Sequence, residues 1–315
     1  PIQFIYSAPK KDIDTLPSLE DLTAYIAAAN QQEVREEAPR KGISSLMKTP
    51  PATAGEIISE SYNALYGPTE MQLSNGITVL LKKTDFTNQK IAMFHQRYGG
   101  ISLFDGDYLS AIYAPYLTQR MGFDQLAPRD VQEFLQPKNV FLNLNLSYHS
   151  ETISGDTSTD DLETLLQWNY QRVTNPSRSK GHFAMSLGDI KKSVQQLSVI
   201  DDWIIQDQFF KLVFNHDPRL QILPRLSEIE TLNIDKVLAN FDRLHANFDG
   251  NVFAFVGNVD ISVMRGFLKK YLANLPGKKQ ATPLELQYPI PQIGIVKKDI
   301  FVGKDNKARV YLEFH

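Results

Sequence analysis

The segment from Asn139 to Tyr148 constrains the fold more than any other part of this chain. Its apolar side chains are Val140, Leu142, Leu144, Leu146 and Tyr148, and its polar side chains include Asn139, Asn143, Asn145 and Ser147. Because successive residues of a strand point to opposite faces, this alternation predicts a β-strand with one buried and one solvated face. Such strands are typical of antiparallel sheets that are covered on one side only.

A hairpin and a further strand are predicted earlier in the chain. Two alternating runs meet at Ser74-Asn75-Gly76, and Asn-Gly is a strong signal for a tight turn. The apolar members of these runs are Met71, Leu73, Ile77, Val79 and Leu81. A second strand is predicted over Gln89–Tyr98, and it ends at Gly99-Gly100. These strands would extend the same sheet.

Helical patterns follow in blocks. Tyr108–Met121 is apolar enough for a helix, with Pro115 either in a first turn or at a kink. Thr159-Asp160-Asp161 caps a helix whose apolar residues are Leu162, Leu165, Leu166 and Val173. Residues 186–213 hold one or two further helices. Asn233 caps another helix, which carries His245 on its apolar stripe. A buried strand is predicted at 251–257, and Asp260 caps a last helix with Val263, Phe267, Leu268 and Tyr271 facing inward. This order predicts an α+β fold, a mainly antiparallel sheet with helices packed on one face.

The ends of the chain differ from this central region. Residues 1–8 are strand-like, Ser18 is a good N-cap for a helix that runs to about Glu37, and residues 39–60 are rich in proline and glycine. A second proline-rich stretch follows Leu275, and two more strands are predicted at about 293–302 and 307–315. At about 100–200 residues per domain, 315 residues correspond to about two domains. We expect the chain to be an excised segment of a longer protein.

Composition excludes several classes of function. Lys and Arg total 33 against 36 Asp and Glu, a net charge of -3 that gives no sign of a nucleic-acid partner. The chain has no cysteine, which excludes thiol nucleophiles, thiolate metal sites and disulfides. The longest apolar runs, such as Val252–Val256, are too short for a helix that spans a bilayer.

A metal site would have to use the six histidines and the carboxylates. A helical zinc-protease pair needs two histidines at positions i and i+4 with a glutamate beside them, and no such pair is present. His149 and Glu151 could share one face of a strand and touch a metal, although two polar residues at a strand end explain the pattern more simply. His216-Asp217 is the other close pairing, and His245 fits a core or interface histidine better than a ligand.

Other catalytic motifs are missing from the sequence. It contains no Gly-x-Ser-x-Gly elbow, no Gly-x-x-x-x-Gly-Lys phosphate loop and no Gly-x-Gly-x-x-Gly fingerprint. The basic pairs, such as Lys191-Lys192, are isolated and indicate solvated surface. The residues alone therefore predict no catalytic constellation.

Longer segments of the sequence do point to one protein family. Leu73–Phe86 (LSNGITVLLKKTDF) is similar to the opening strand pair of the second half of insulinase/pitrilysin-type zinc metallopeptidases, especially the large bacterial zinc proteases. The similarity continues in order through Gly99–Leu103, Asp107–Ala111, Ser154–Ser158, Asp160–Gln167, Phe255–Asp260 and Tyr271–Pro276. It covers roughly residues 66–276.

This resemblance implies a fold of four related α+β units, arranged as two halves that close around a peptide. It implies an inter-half linker at residues 1–60, a third unit at 61–276, and a linker with the first strands of a truncated fourth unit at 277–315. In this family zinc is bound in the first unit by an inverted His-x-x-Glu-His motif, so zinc is expected in an N-terminal half absent from this chain and no cofactor in this segment. The corresponding helix, Tyr108–Met121, has neither His nor Glu. We therefore assign no catalytic and no metal-binding residue and leave the substrate-binding residues undefined.

Three hypotheses follow. The first is a non-catalytic segment of a zinc-dependent endopeptidase, whose partners are the N-terminal catalytic half of the same protein and extended or unfolded peptides. The second is a stand-alone, non-catalytic scaffold subunit of the same fold that pairs with an active peptidase. A His-x-x-Glu-His motif upstream in the same reading frame would favour the first. The third is a peptidase with a new metal site at His149 and Glu151. The large bacterial relatives imply an exported, periplasmic location.

Overall fold

The computed structural model describes residues 5, 9–31, 42–104, 106–124, 126–277, 288–303 and 308–314. The chain divides into a unit of residues 1–41 and a main unit of residues 42–315. The first unit contains a 3-10 turn at Lys10–Thr15 and helix α1 at Leu19–Gln31. Ser18 Oγ accepts a hydrogen bond from the Asp21 N–H at 3.1 Å, while the Asp21 carboxylate accepts one from the Ser18 N–H at 2.9 Å. This reciprocal cap confirms the predicted helix start.

In the described residues the main unit is built on one sheet of seven strands, in the order β1-β2-β3-β7-β4-β6-β5. All neighbouring strands are antiparallel except β3 and β7, which are parallel. The strands are β1 Ile57–Tyr62, β2 Thr69–Leu73, β3 Thr78–Lys83, β4 Lys90–Tyr98, β5 Val140–Leu146, β6 Ser150–Ser158 and β7 Val252–Gly257. The predicted α+β class and mainly antiparallel sheet are confirmed.

Helices cover one face of this sheet. They are α2 Tyr108–Arg120, α3 Pro128–Leu135, α4 Leu162–Thr174, α5 Lys180–Leu197, α6 Asp201–Val213, α7 Leu226–Ile229, α8 Ile234–Leu244 and α9 Ile261–Lys270. Buried side chains of the strands pack against α4 and α9, and α2, α5 and α8 share a second apolar cluster. On the opposite face Phe94, Phe141 and Val256 are 48%, 56% and 41% exposed. In the described part of the chain, no helix has the length and apolar character needed to cross a membrane.

Several predicted elements are confirmed in detail. Gly76 takes a φ of 90° and donates to the Leu73 carbonyl at 3.0 Å, which closes the hairpin between β2 and β3. The side chains of Asn233 and Asp260 accept backbone hydrogen bonds at the starts of α8 and α9. Pro115 lies inside α2 rather than in its first turn. In α9, however, Val263 is 49% exposed, and Met264 occupies the buried position instead.

Other predicted elements differ from the structure. The stretch 39–60 is not wholly a linker, because β1, which begins in it at Ile57, pairs with β2 and because the fully buried Leu46 packs near Phe123. No strand forms among the described residues of 293–303 and 308–314, since alternation alone does not provide a pairing partner. The strand predicted at 1–8 and the end of the first helix near Glu37 lie outside the described residues. The division at residues 60 and 276 into linker, third unit and fourth unit stays a prediction.

Candidate functional site

A cleft of about 1110 Å³ opens beside strand β5 in the main unit. It is bounded by β5, by helices α2, α3 and α5, and by one residue of α4, Trp168. Strand β5 is the last strand of the sheet, so one of its edges has no neighbouring strand in the described structure. A cleft along an open sheet edge is a place where an extended segment can bind.

The polar backbone groups of this edge can be assigned from the pairing. Ser147 donates to the Ser150 carbonyl at 2.8 Å, and Ser158 donates to the Asn139 carbonyl at 3.0 Å. In an antiparallel pair such bonds recur at every second residue. The odd-numbered residues of β5 therefore face β6, and the N–H and C=O groups of Leu142 and Leu144 point to the open edge.

The cleft wall is aromatic and nearly neutral. Tyr113, Tyr116 and Trp168 line it, and burial raises the pKa of Tyr113 to about 12, so that its hydroxyl stays a neutral donor. The charged lining residues are Arg120 and Asp189, which lie 3.9 Å apart. Arg120 also stacks over the Tyr116 ring at 4.2 Å. Such a surface favours apolar side chains and leaves recognition of the backbone to β5.

Helix α2 cannot hold zinc as the catalytic helix of the resembled family does. It lines the cleft with residues such as Ile112, Pro115 and Gln119, and it has no His and no Glu. Within the described ranges no group of three or more His, Asp or Glu side chains is arranged to bind a metal ion. Zinc needs three or four N, O or S ligands at short distances, so the residues of this cleft do not fit it.

A second feature, a buried ionic cluster, lies behind the cleft between the sheet and the helices. Glu151 of β6 is fully buried, and its cross-strand neighbour on β4 is Arg97, whose Nη2 donates to Glu151 Oε2. His245, just after the end of α8, places its Nε2 at 2.7 Å from Glu151 Oε1. One carboxylate therefore joins two strands to a helix end.

His245 contacts Glu151 through one ring nitrogen and a backbone carbonyl through the other. Its Nδ1 lies 2.9 Å from the Phe241 carbonyl oxygen, which can only accept, so Nδ1 carries a proton. Its Nε2 lies 2.7 Å from Glu151 Oε1. Burial alone would raise the pKa of Glu151, but His245 and Arg97 lower it to about 2.

His95 of β4 lies next to this cluster. Its Nδ1 donates to the Val252 carbonyl at 3.0 Å, and its ring stacks on Phe253 at 4.3 Å. Burial is the main reason that the pKa of His95 falls to about 4. His95 is therefore neutral at pH 7.

The structure gives His149 and Glu151, which the sequence left open as a metal-binding alternative, other partners. Glu151 Oε2 accepts from Arg97 and Glu151 Oε1 lies 2.7 Å from His245 Nε2, while the His149 ring packs at 4.6 Å from the Tyr148 ring and 5.3 Å from the Tyr288 ring. The expectation that His245 is a core histidine agrees with its exposure of 2%. His216, the other histidine beside an acid, is exposed and has a φ of 58°.

Sequence reasoning missed the polar residues of α4. Asn169 and Arg172 occupy the inward stripe of this helix together with Leu165, Leu166 and Val173, and their exposures are 0% and 1%. A signal was present, because a polar residue three or four positions from core leucines should face the core. The spacing does not say what those polar groups would contact.

Comparisons with known proteins agree with the fold. No family model matches the chain. Over 280 residues, 88% of its length, the chain is 21% identical to a protein of Arabidopsis thaliana described as "Zinc protease PQQL-like", of which it covers 26%. The periplasmic protease PqqL from Escherichia coli has a TM-score of 0.65 at 19% identity, with 89% of this chain and 30% of PqqL covered. A mutant of the ferredoxin protease FusC, in complex with Arabidopsis ferredoxin, has a TM-score of 0.64 at 15% identity, over 91% of this chain and 30% of FusC.

The fold is therefore that of insulinase-like proteases, a mostly antiparallel sheet with helices on one face. These similarities support the family that the sequence resembles, the insulinase/pitrilysin-type zinc metallopeptidases. The chain spans 26% of the length of the Arabidopsis protein and 30% of the length of PqqL. This partial coverage is consistent with a non-catalytic segment of such a protein.

Proposed function

We propose that this chain is a non-catalytic segment of a zinc-dependent endopeptidase and that it helps to enclose and position peptide substrates. The observation that carries the proposal is the cleft beside the open edge of β5. Helix α2, which lines this cleft, has no residue that could bind a metal. The N–H and C=O groups of Leu142 and Leu144 offer an added strand the hydrogen bonds of a sheet. Zinc would be bound by the N-terminal half of the same protein.

The chemistry of the cleft supports this role. An extended peptide that pairs with β5 places every second side chain against Tyr113, Tyr116 or Trp168. Backbone pairing gives affinity without a sequence requirement, as a protease that accepts many peptides needs. Holding the peptide in an extended conformation prepares it for a catalytic group in another unit, because the loss of conformational freedom has already occurred on binding.

The proposal is tested by binding of a labelled, unfolded peptide to the 315-residue chain, measured by fluorescence anisotropy. A peptide with N-methyl groups on the amides that pair with β5 should bind at least tenfold more weakly, because each methyl removes one donor. The same methyl groups shifted by one residue face away from the strand and serve as the control. Equal affinity for both methylated peptides would contradict pairing with β5.

We also expect the pure chain to hydrolyse no peptide, since the described residues hold no group that could bind zinc. Incubation of an unfolded peptide with the chain and added zinc, followed by mass spectrometry, checks this. Cleavage that requires zinc and stops on addition of a chelator would overturn the proposal.

A further inference from the structure

Arg172 and Asn169 form a buried polar pair that the described fold leaves unsatisfied. They lie three positions apart on α4 and therefore on the same side of the helix. Arg172 Nε and Nη1 and both polar side-chain atoms of Asn169 are buried and have no hydrogen-bond partner among the described residues. A buried guanidinium with unpaired donor atoms destabilises the fold, which is why such groups are normally fully paired.

The charges around Arg172 do not balance. Glu151 is the carboxylate that attracts Arg172, yet Arg97 and His245 already contact its two oxygens. Two guanidinium groups, those of Arg97 and Arg172, therefore share a single carboxylate, Glu151. The buried cluster thus has an excess of positive charge, which another carboxylate would neutralise.

Gln119 connects this pair to the cleft. Its side chain is part of the cleft wall, and its Oε1 accepts a hydrogen bond from Arg172 Nη2 at 3.1 Å. A guanidinium only donates, so the amide oxygen must face Arg172. Trp168, the residue before Asn169, is also in the cleft wall. A carboxylate that arrives from the cleft is a stronger, bidentate acceptor than the amide oxygen that it would replace.

We propose that the cleft ends in a carboxylate-binding site formed by Arg172 and Asn169, which Gln119 covers until a ligand displaces it. The ligand is a carboxylate of a bound peptide, from either its C-terminus or an acidic side chain. This site rests on the proposed peptide-binding function and gives it selectivity. Arg172 binds both carboxylate oxygens, and the Asn169 amide donates a further hydrogen bond.

The first test compares matched peptides with the wild-type chain. An unfolded peptide with a free C-terminal carboxylate should bind at least tenfold more tightly than the same peptide with a C-terminal amide. A third peptide, amidated but with a glutamate near its end, separates the two sources, since recovery of affinity assigns the site to acidic side chains. If acid, amide and glutamate peptides bind equally, this site does not exist, although the proposed function stands. If none of them binds, the proposed function fails.

The second test fills the site from within. Gln119→Glu has nearly the same shape and places a carboxylate beside Arg172. We expect this variant to melt at a higher temperature and to bind acid and amide peptides equally. Gln132→Glu adds the same charge to the cleft wall on α3 and serves as the matched control, with the acid preference retained. Preserved discrimination in Gln119→Glu would overturn the proposal, and the wild-type comparison decides it if the variant fails to fold.

Discussion

Glu151→Ala should lower the free energy of unfolding by about 3–5 kcal/mol, the cost typical of breaking a buried ion pair. The substitution leaves Arg97 and His245 without their common acceptor. Glu151 is fully buried, so water cannot replace the lost carboxylate in the folded state. Because whole domains are stable by only about 5–15 kcal/mol, this loss is a large fraction of the total. Urea denaturation followed by circular dichroism measures it.

Glu151→Gln separates charge from shape. The amide oxygen can still accept from Arg97, and its NH₂ group can donate to a neutral His245 whose Nδ1 proton remains on the Phe241 carbonyl. We therefore expect Glu151→Gln to lose less stability than Glu151→Ala. Glu133→Ala is the control, because Glu133 pairs with Arg129 on the surface and such pairs contribute about 0–1 kcal/mol. A loss of under about 1 kcal/mol in Glu151→Ala would contradict the role of the cluster.

Elements with local signals were predictable from the sequence. The β2–β3 hairpin follows from Asn75-Gly76, and α8 and α9 start at the caps predicted for them. In each case the residues that determine the structure lie within a few positions of one another. The buried face of strand β5 was likewise predictable from the alternation of apolar and polar residues alone.

Strand β6 was not predictable, because its stability comes from distant residues. Its buried positions hold Glu151, Ile153, Gly155 and Thr157, so the segment looks polar. Arg97, which pairs with Glu151, is 54 residues away. Gly155 is required by packing, since a Cβ there would lie 2.8 Å from the Leu165 side chain and 2.9 Å from the Phe141 carbonyl. Strand β1 was not predicted for another reason. It lies at the sheet edge and is mostly exposed, and such a strand needs no alternation of apolar and polar residues.

The candidate site was predictable only in part. The resemblance identified the α2 region as the counterpart of the zinc-binding helix. Its sequence contains neither His nor Glu, so the lack of zinc ligands could be read directly. The cleft and the ionic cluster depend on three-dimensional proximity between α2, α4 and the sheet, and no spacing in the sequence encodes that proximity. Asn169 and Arg172 were the accessible clue, as polar residues at core positions of a helix.

The second large effect concerns acid. The unfolded chain protonates His95 as the pH falls through about 6.5, whereas the folded chain resists until about pH 4. Between these values the unfolded state binds more protons, so stability must fall as the pH falls. The shift corresponds to a loss on the order of 3 kcal/mol. Glu151 adds a further loss between pH 4.5 and about 2, because its carboxylate is held ionised in the folded state.

His95→Gln should remove the first of these losses. Glutamine has no proton to gain in this range, so the free energy of unfolding should change much less between pH 6.5 and 4 than in the wild type, even if the variant is less stable at pH 7. Urea titrations at several pH values measure the slope. Glu151, Arg97 and His245 are the neighbouring groups that influence the pKa of His95, and they remain in place. His182→Gln makes the same substitution at a partly exposed position and is the matched control. An unchanged slope in His95→Gln would show that other groups cause the acid sensitivity.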